Sequence, residues 1–171
     1  MHIPTHTLSG WVLANAVSKL DARGRLFCMI AASAADLDGI GFLFGEEAYW
    51  RFHHVVGHNV LVGVVSSALL GCFARRGRAI TFLACVTCFH LHLLLDFYGS
   101  GIGWQIHYLW PFDPSGFKTD AAWPLMSWQN YASFVLLVIA TGLIAWRKRR
   151  TPLELIAPRL NDKLIRIGPD A

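Results

Sequence analysis

The chain is poor in charge. Only 15% of its 171 residues are Asp, Glu, Lys or Arg, against about 25% in soluble domains. With 54% hydrophobic residues and a mean hydropathy of +0.43, an ordinary water-soluble domain and a disordered chain are both excluded. Cysteine is scarce as well. Cys28, Cys72, Cys85 and Cys88 all lie inside apolar runs, which excludes the loop-stapling framework of a small secreted domain. Cys85 and Cys88 spell C-x-x-C, but no second pair accompanies them, so they read as small residues packed in a helix. The 15 Gly and 7 Pro show no period and no internal repeat, which removes collagen-like and low-complexity classes. Met1 to Ser9 has no positive n-region and no small-residue cleavage site precedes Lys19 to Arg25, so the mature chain is expected to begin at or near Met1. The net charge of +4 comes from residues that punctuate the apolar runs instead of forming one basic face, so no nucleic acid partner is expected.

What is present is a succession of apolar stretches: Thr5 to Leu20, Leu26 to Leu37, Asn59 to Ala74, Ala79 to Phe97 and Tyr131 to Trp146. They predict an all-α integral membrane bundle of about five helices. A span needs about 20 residues; the fourth and fifth stretches reach this with their flanks, the third nearly does, and the first two are short. If the N-terminus is outside and the C-terminus inside, Lys19, Arg23, Arg25, the Arg75 to Arg78 turn, the Arg147 to Arg150 run, Arg159, Lys163 and Arg166 are cytoplasmic, 13 of the 15 basic residues. That agrees with the excess of Lys and Arg on the inner side of membrane proteins. Trp50, Trp104, Trp110, Trp123 and Trp128 then fall near the outer interface. Residues 1–150 are read as the membrane-embedded domain and 151–171 as a cytoplasmic tail on the inner leaflet. The aromatic-rich loop from Gly99 to Ser127 is too long to be a plain connection.

This topology brings all eight histidines to one side. His6 opens the first helix, Asp36 and Asp38 close the second, and His53, His54 and His58 enter the third. His92 and Asp96 lie toward the outer end of the fourth, and His107 follows in the long loop. Ionisable groups at membrane depth are costly and mark function. Acids at a helix C-terminus also oppose its dipole, a conflict that a divalent cation removes. His92 and Asp96, spaced i, i+4, share a helix face, and His with carboxylate is an ordinary ligand pair for zinc or manganese. His90 points elsewhere and is read as packing, His2 as a frayed end, and Glu46 and Glu47 as a solvated turn. Asp36 and Asp38 diverge by about 160° on an intact helix. Asp36, the deeper, is expected to be a ligand, and Asp38, beside Gly39, the candidate base. In a helix His54 and His58 share a face while His53 and His58 are about 140° apart; the residues rank His58 first, then His53, then His54.

At these positions the sequence resembles the YdjM-like family of bacterial inner-membrane metal-dependent hydrolases. The resemblance is carried by Thr5-His6, Asp36-Leu37-Asp38, the run from His53 to Asn59, His92-Leu93-Leu94-Leu95-Asp96, and the Gly-rich turn into Leu109-Trp110-Pro111-Phe112. His54, Gly57 and Asn59 stand where the family has Arg, Thr and Ser. That family is related to the zinc-dependent phospholipase C and single-strand nuclease group, all-helical enzymes with clustered metal ions. The resemblance implies a metal site, most simply zinc, formed by His6, one or both of Asp36 and Asp38, His53, His58, His92 and Asp96; His54, which shares a helical face with His58, and His107 are further candidates from their own positions. It also implies a hydrolase of the bacterial inner membrane; with the topology above, its site faces the periplasm or exterior at headgroup level, which suggests a phosphoester in a lipid, a lipid-linked intermediate or a small periplasmic molecule. Two other classes fit parts of the pattern: a membrane haem protein with axial histidines, and a non-catalytic metal-binding membrane protein. An ion path through the bundle is not expected, because only Ser, Thr, Asn15 and Cys lie between the histidines and the inner basic turns.

Overall fold

In the computed structural model, which describes residues 1–166, the chain is all-helical. The described residues form seven α helices and one 3-10 run, more pieces than the five apolar stretches. Helix α1 (Ile3–Ala16) carries a proline in its first turn, where the missing N–H costs nothing. Helix α2 (Ala22–Ala31) is capped by Asp21, whose carboxylate accepts the Gly24 amide at 2.8 Å. The second apolar stretch then breaks: α2 is followed by a 3-10 run over Ala35–Phe44, bent from it by 52°. Gly45, at φ 108, turns the chain into α3 (Glu46–Phe52). Asn59 caps α4 (Val60–Phe73) by accepting the Val62 amide at 2.9 Å. Helices α5 (Arg78–Gly99), α6 (Trp128–Lys148) and α7 (Pro158–Ile165) complete the order.

Among the described residues only α5 and α6, of 22 and 21 residues, are long and apolar enough to cross a membrane alone, and the bent pair of α2 and the 3-10 run makes up to three spans. Helices α1 and α4 have 14 residues each, about 21 Å of rise against a hydrocarbon core of about 30 Å. Apolar side chains of α6 such as Leu136 and Ile139 are exposed, as expected of a helix bathed in lipid.

Small residues let the site-bearing helices approach closely. Ala14, Cys28, Ala31, Ala84, Cys85 and Cys88 form the buried seam of α1, α2 and α5, and the cysteines there are free thiols. A Cβ on Gly10 would lie 2.6 Å from both Ala32 Cβ and Cys28 O, and one on Gly63 would lie 2.6 Å from the Phe89 ring. The crossings of α1 with α2 and of α4 with α5 therefore require glycine. At the opposite end from the histidines, Arg25 clamps Glu154 through Nε and a terminal nitrogen (2.6 and 2.7 Å) and also donates to Leu20 O. Thr151 donates from its amide to Asn161 Oδ1 at 2.8 Å. The first bond pins the start of the expected tail to the bundle and the second folds the tail on itself; residues 167–171 lie outside the described residues. The long loop contains one isolated bridge, Ile106 with Phe117, and is fastened by the Val60 amide to Tyr108 O (2.9 Å) and by Asn130 Nδ2 to Gly99 O (2.8 Å).

Candidate metal centre

The centre begins with the 3-10 run. Three residues per turn sort its side chains into three rows. Ala35, Asp38 and Gly41 are buried, Leu37, Ile40 and Leu43 are exposed, and Asp36 and Gly39 line a cavity. Two expectations change here. The acids stand in the first turn of a separate helical segment, where negative charge is favoured, so the dipole conflict read from the sequence does not arise. Their side chains diverge by about 120°, which still gives them different surroundings.

Asp38 is fully engaged. Its Oδ1 accepts His53 Nδ1–H at 2.6 Å, and its Oδ2 accepts His58 Nδ1–H at 2.9 Å and the amides of His54 and Gly57, each at 3.0 Å. The segment between α3 and α4 is not helical, and His54 has φ 66, so the angular separation expected between His53 and His58 does not arise and both rings reach the same carboxylate. Gly57 is required for this path, because a Cβ there would fall 2.1 Å from Ala35 O. Asp38 does not line the cavity. Its geometry is that of a positioning group, holding two imidazoles by Nδ1 so that Nε2 of each remains for other partners.

Three potential ligand atoms, one of them the Nε2 of His58, meet at one point. His58 Nε2 and His92 Nε2 are 3.1 Å apart, and Asp96 Oδ2 lies 3.2 Å from the first and 3.1 Å from the second. His92 donates Nδ1–H to Ala32 O at 2.8 Å, so the Nε2 of a neutral ring carries a lone pair. His6 Nε2 stands 3.0 Å from Asp96 Oδ1, yet neither nitrogen of this fully buried ring completes an aligned hydrogen bond. Asp36 Oδ1 is 3.8 Å from His92 Nε2 and 3.9 Å from His58 Nε2, and its Oδ2 is a buried acceptor without a partner. Converging lone pairs and orphaned acceptors are costly when buried. A cation satisfies them together, so these residues fit a metal ion.

Ligand atoms of His6, Asp36, His92 and Asp96 lie within 4.8 Å of one another, and so do those of His53, His54 and His58. Asp96 connects the groups, since His54 Nε2 is 3.7 Å from its Oδ2. Burial and the neighbouring His58 charge push His54 down to about 2, which keeps its ring neutral. His58 is opposed by burial, but Asp38 and Asp96 prevail and raise it to about 9, a proton sitting where a cation would bring its charge. The α-amino group of Met1 also contacts Asp96 Oδ1 and lies 3.0 Å from Ser100 Oγ.

His107 is not brought to the cluster. Its Nδ1 donates to Pro114 O at 2.8 Å and its amide to His54 O, so it braces the loop. His90 bonds Val86 O and the Tyr108 hydroxyl, a packing role. Tyr49, stacked on His53 at 4.7 Å, and Trp104, 4.7 Å from the His54 ring, were not legible as site residues, nor was the Ala32 carbonyl. Above the cluster opens a cavity of about 590 Å³, walled by Asp36, Tyr49, His53, His54, Asp96 and Trp104, within the roughly 300–1,000 Å³ range of ligand sites.

Apolar spanning helices around a buried His and Asp cluster that could hold a metal ion define the class: an all-helical membrane protein with a candidate metal centre. The chain belongs to the YdjM inner membrane protein family, whose model matches residues 1–158. It is an inner membrane protein. No curated protein and no solved structure matches it.

Proposed function

We propose that this protein is a metal-dependent hydrolase of phosphoesters, working at the outer face of the inner membrane with its N-terminus out and its C-terminus in. The observation that carries the reading is the meeting of His58 Nε2, His92 Nε2 and Asp96 Oδ2 within 3.2 Å, beneath a cavity that Asp36 and Asp96 line and that is large enough for a substrate headgroup. The orientation rests on the 13 of 15 basic residues at the end opposite the cluster. A divalent ion, most simply zinc, supplies in such a site the acidification of water to a pKa of about 7 and the polarisation of a phosphoryl oxygen. His6, Asp36, His58, His92 and Asp96 would hold it, with His54 beside Asp96 as a further donor.

The chain's own residues supply the rest. Asp38 cannot take the proton of water, since its oxygens already accept four donors and do not reach the cavity; it orients His53 and His58. His53 lines the cavity with its Nδ1–H committed to Asp38 and Nε2 as its remaining polar atom. That carboxylate-backed imidazole suits the exchange of a proton with water or a leaving alkoxide. Tyr49 stacks on its other face and fixes the ring. Haem binding is disfavoured by the same geometry, because imidazole nitrogens already 3.1 Å apart leave no slot for a macrocycle.

Hydrolysis of a panel of water-soluble and lipid phosphoesters by purified protein, before chelation, after it and after zinc is restored, tests the reading. Activity lost on chelation and recovered with metal is expected for at least one phosphoester. No metal-dependent turnover of any member would refute it.

A further inference from the structure

A second cavity lies back to back with the first. It is a groove of about 510 Å³ between the 3-10 run and the segment from Phe52 to Val62, walled by Leu37, Ile40, Phe44, Phe52, Val56 and Val62. Ile40 lines both spaces, so its side chain is part of the wall between the groove and the metal cavity. Among the described residues the only charged group on its wall is Asp38, whose oxygens are consumed by His53, His54, Gly57 and His58. The groove therefore offers mainly hydrocarbon contact and no uncommitted charged side chain. It opens on an unusually apolar lip: Leu37, Phe42, Leu43 and Phe44 are 72%, 68%, 76% and 80% exposed. This lip belongs to the bent pair with α2 that together is long and apolar enough for a membrane span, which in an inner membrane protein favours acyl chains as its surroundings.

We propose that the groove is a subsite for the acyl chain of a membrane lipid whose phosphate headgroup enters the metal cavity across Ile40, so that the substrate is a phospholipid-type phosphoester taken laterally from the bilayer. This rests on the hydrolase reading for what happens to the headgroup, but not for the binding itself. The three rows of the 3-10 run explain the juxtaposition: about 120° of rotation separates the row bearing Asp36 from the row bearing Leu37 and Ile40. A headgroup and a chain can thus engage adjacent faces of one short element.

Dioleoyl phosphatidate carrying a diazirine at its acyl ends is the probe, added to the full chain in lipid nanodiscs and photolysed, with adducts mapped by peptide mass spectrometry. Dioleoylglycerol with the same diazirines is the comparison. Phosphatidate should label the peptides containing Leu37, Phe44 and Val56 about tenfold more than the diacylglycerol does, and the preference should disappear on chelation. Val56→Trp, which fills the groove, should lower that labelling about tenfold. Leu37→Gln, at an exposed position that does not support the fold, should lower it as well and covers the case in which the tryptophan variant does not fold. Equal labelling by the two lipids means annular lipid only, and labelling confined to α6 means no chain site; either overturns the proposal. Preferential groove labelling without turnover of any phosphoester would uphold the subsite and defeat the hydrolase reading. Turnover of a water-soluble phosphoester without groove labelling would do the reverse.

Discussion

Replacing Asp38 with Asn removes a carboxylate that touches no metal ligand atom yet orders the centre. In the native arrangement one oxygen accepts His53 Nδ1–H and the other accepts His58 Nδ1–H with two amides. An asparagine oxygen placed at the three-donor position leaves its NH₂ facing His53 Nδ1–H, donor against donor. The opposite flip sets the NH₂ against His58 Nδ1–H and both amides. In either flip His58 Nδ1–H loses its anionic acceptor, either to a donor or to a neutral amide oxygen that accepts more weakly, so its Nε2 is held less firmly for the cluster. Removing an orienting partner of this kind costs about 10–100-fold in metal affinity, about 1.4–2.8 kcal/mol. Competition of detergent-purified wild type and Asp38→Asn against a chromophoric zinc chelator measures this. The variant should be weaker by that factor while still reaching wild-type stoichiometry at saturating zinc. Affinities within twofold of each other would refute the positioning role of Asp38 and with it the orientation of His58.

Asp36→Asn should lose metal more severely than Asp38→Asn, because Asp36 faces the cluster directly; atomic absorption on the two variants compares them. His107→Ala and His90→Ala should keep full metal content, since both nitrogens of His90 are spent on Val86 and Tyr108 and His107 is held by Nδ1 on Pro114, away from the cluster. Glu154→Ala leaves the Arg25 guanidinium buried without its partner and should cost about 3 kcal/mol, read as a lower unfolding temperature in detergent with metal retained. Reporter fusions after Arg78 and Arg150 should read cytoplasmic and those within 99–127 external; a cytoplasmic result for the long loop would overturn the proposed orientation.

Much of the helical layout was legible because hydropathy reports burial from water, and each of the five stretches contains a helix. The break inside the second stretch was not, because α and 3-10 periods of 3.6 and 3.0 diverge too little over ten residues to be read from Ala35 to Phe44. Helices α3 and α7 are too short and too polar to register as apolar runs. At the site, the residues themselves stood out, since His6, Asp36, His92 and Asp96 are expensive groups in apolar company. Their division of labour did not. Asp38 resembled a mobile base because Gly39 follows it, whereas the irregular path from His53 to Asn59, opened by Gly57, wraps four donors around it. That path is set by tertiary packing against Ala35 and leaves no periodic trace in the sequence.

The central claim, that the His and Asp residues of α1, the 3-10 run, the segment before α4 and α5 form one metal centre, is tested most directly by the metal content of the purified protein. Wild type dialysed against metal-free buffer should retain at least one divalent ion per chain. His92→Ala and Asp96→Ala, each lacking a group that meets the cluster within 3.2 Å, should retain none after the same dialysis, since opening a ligand position of this kind releases the ion. A wild-type protein that holds no divalent ion even after loading, or variants that both keep a full equivalent, would contradict the account.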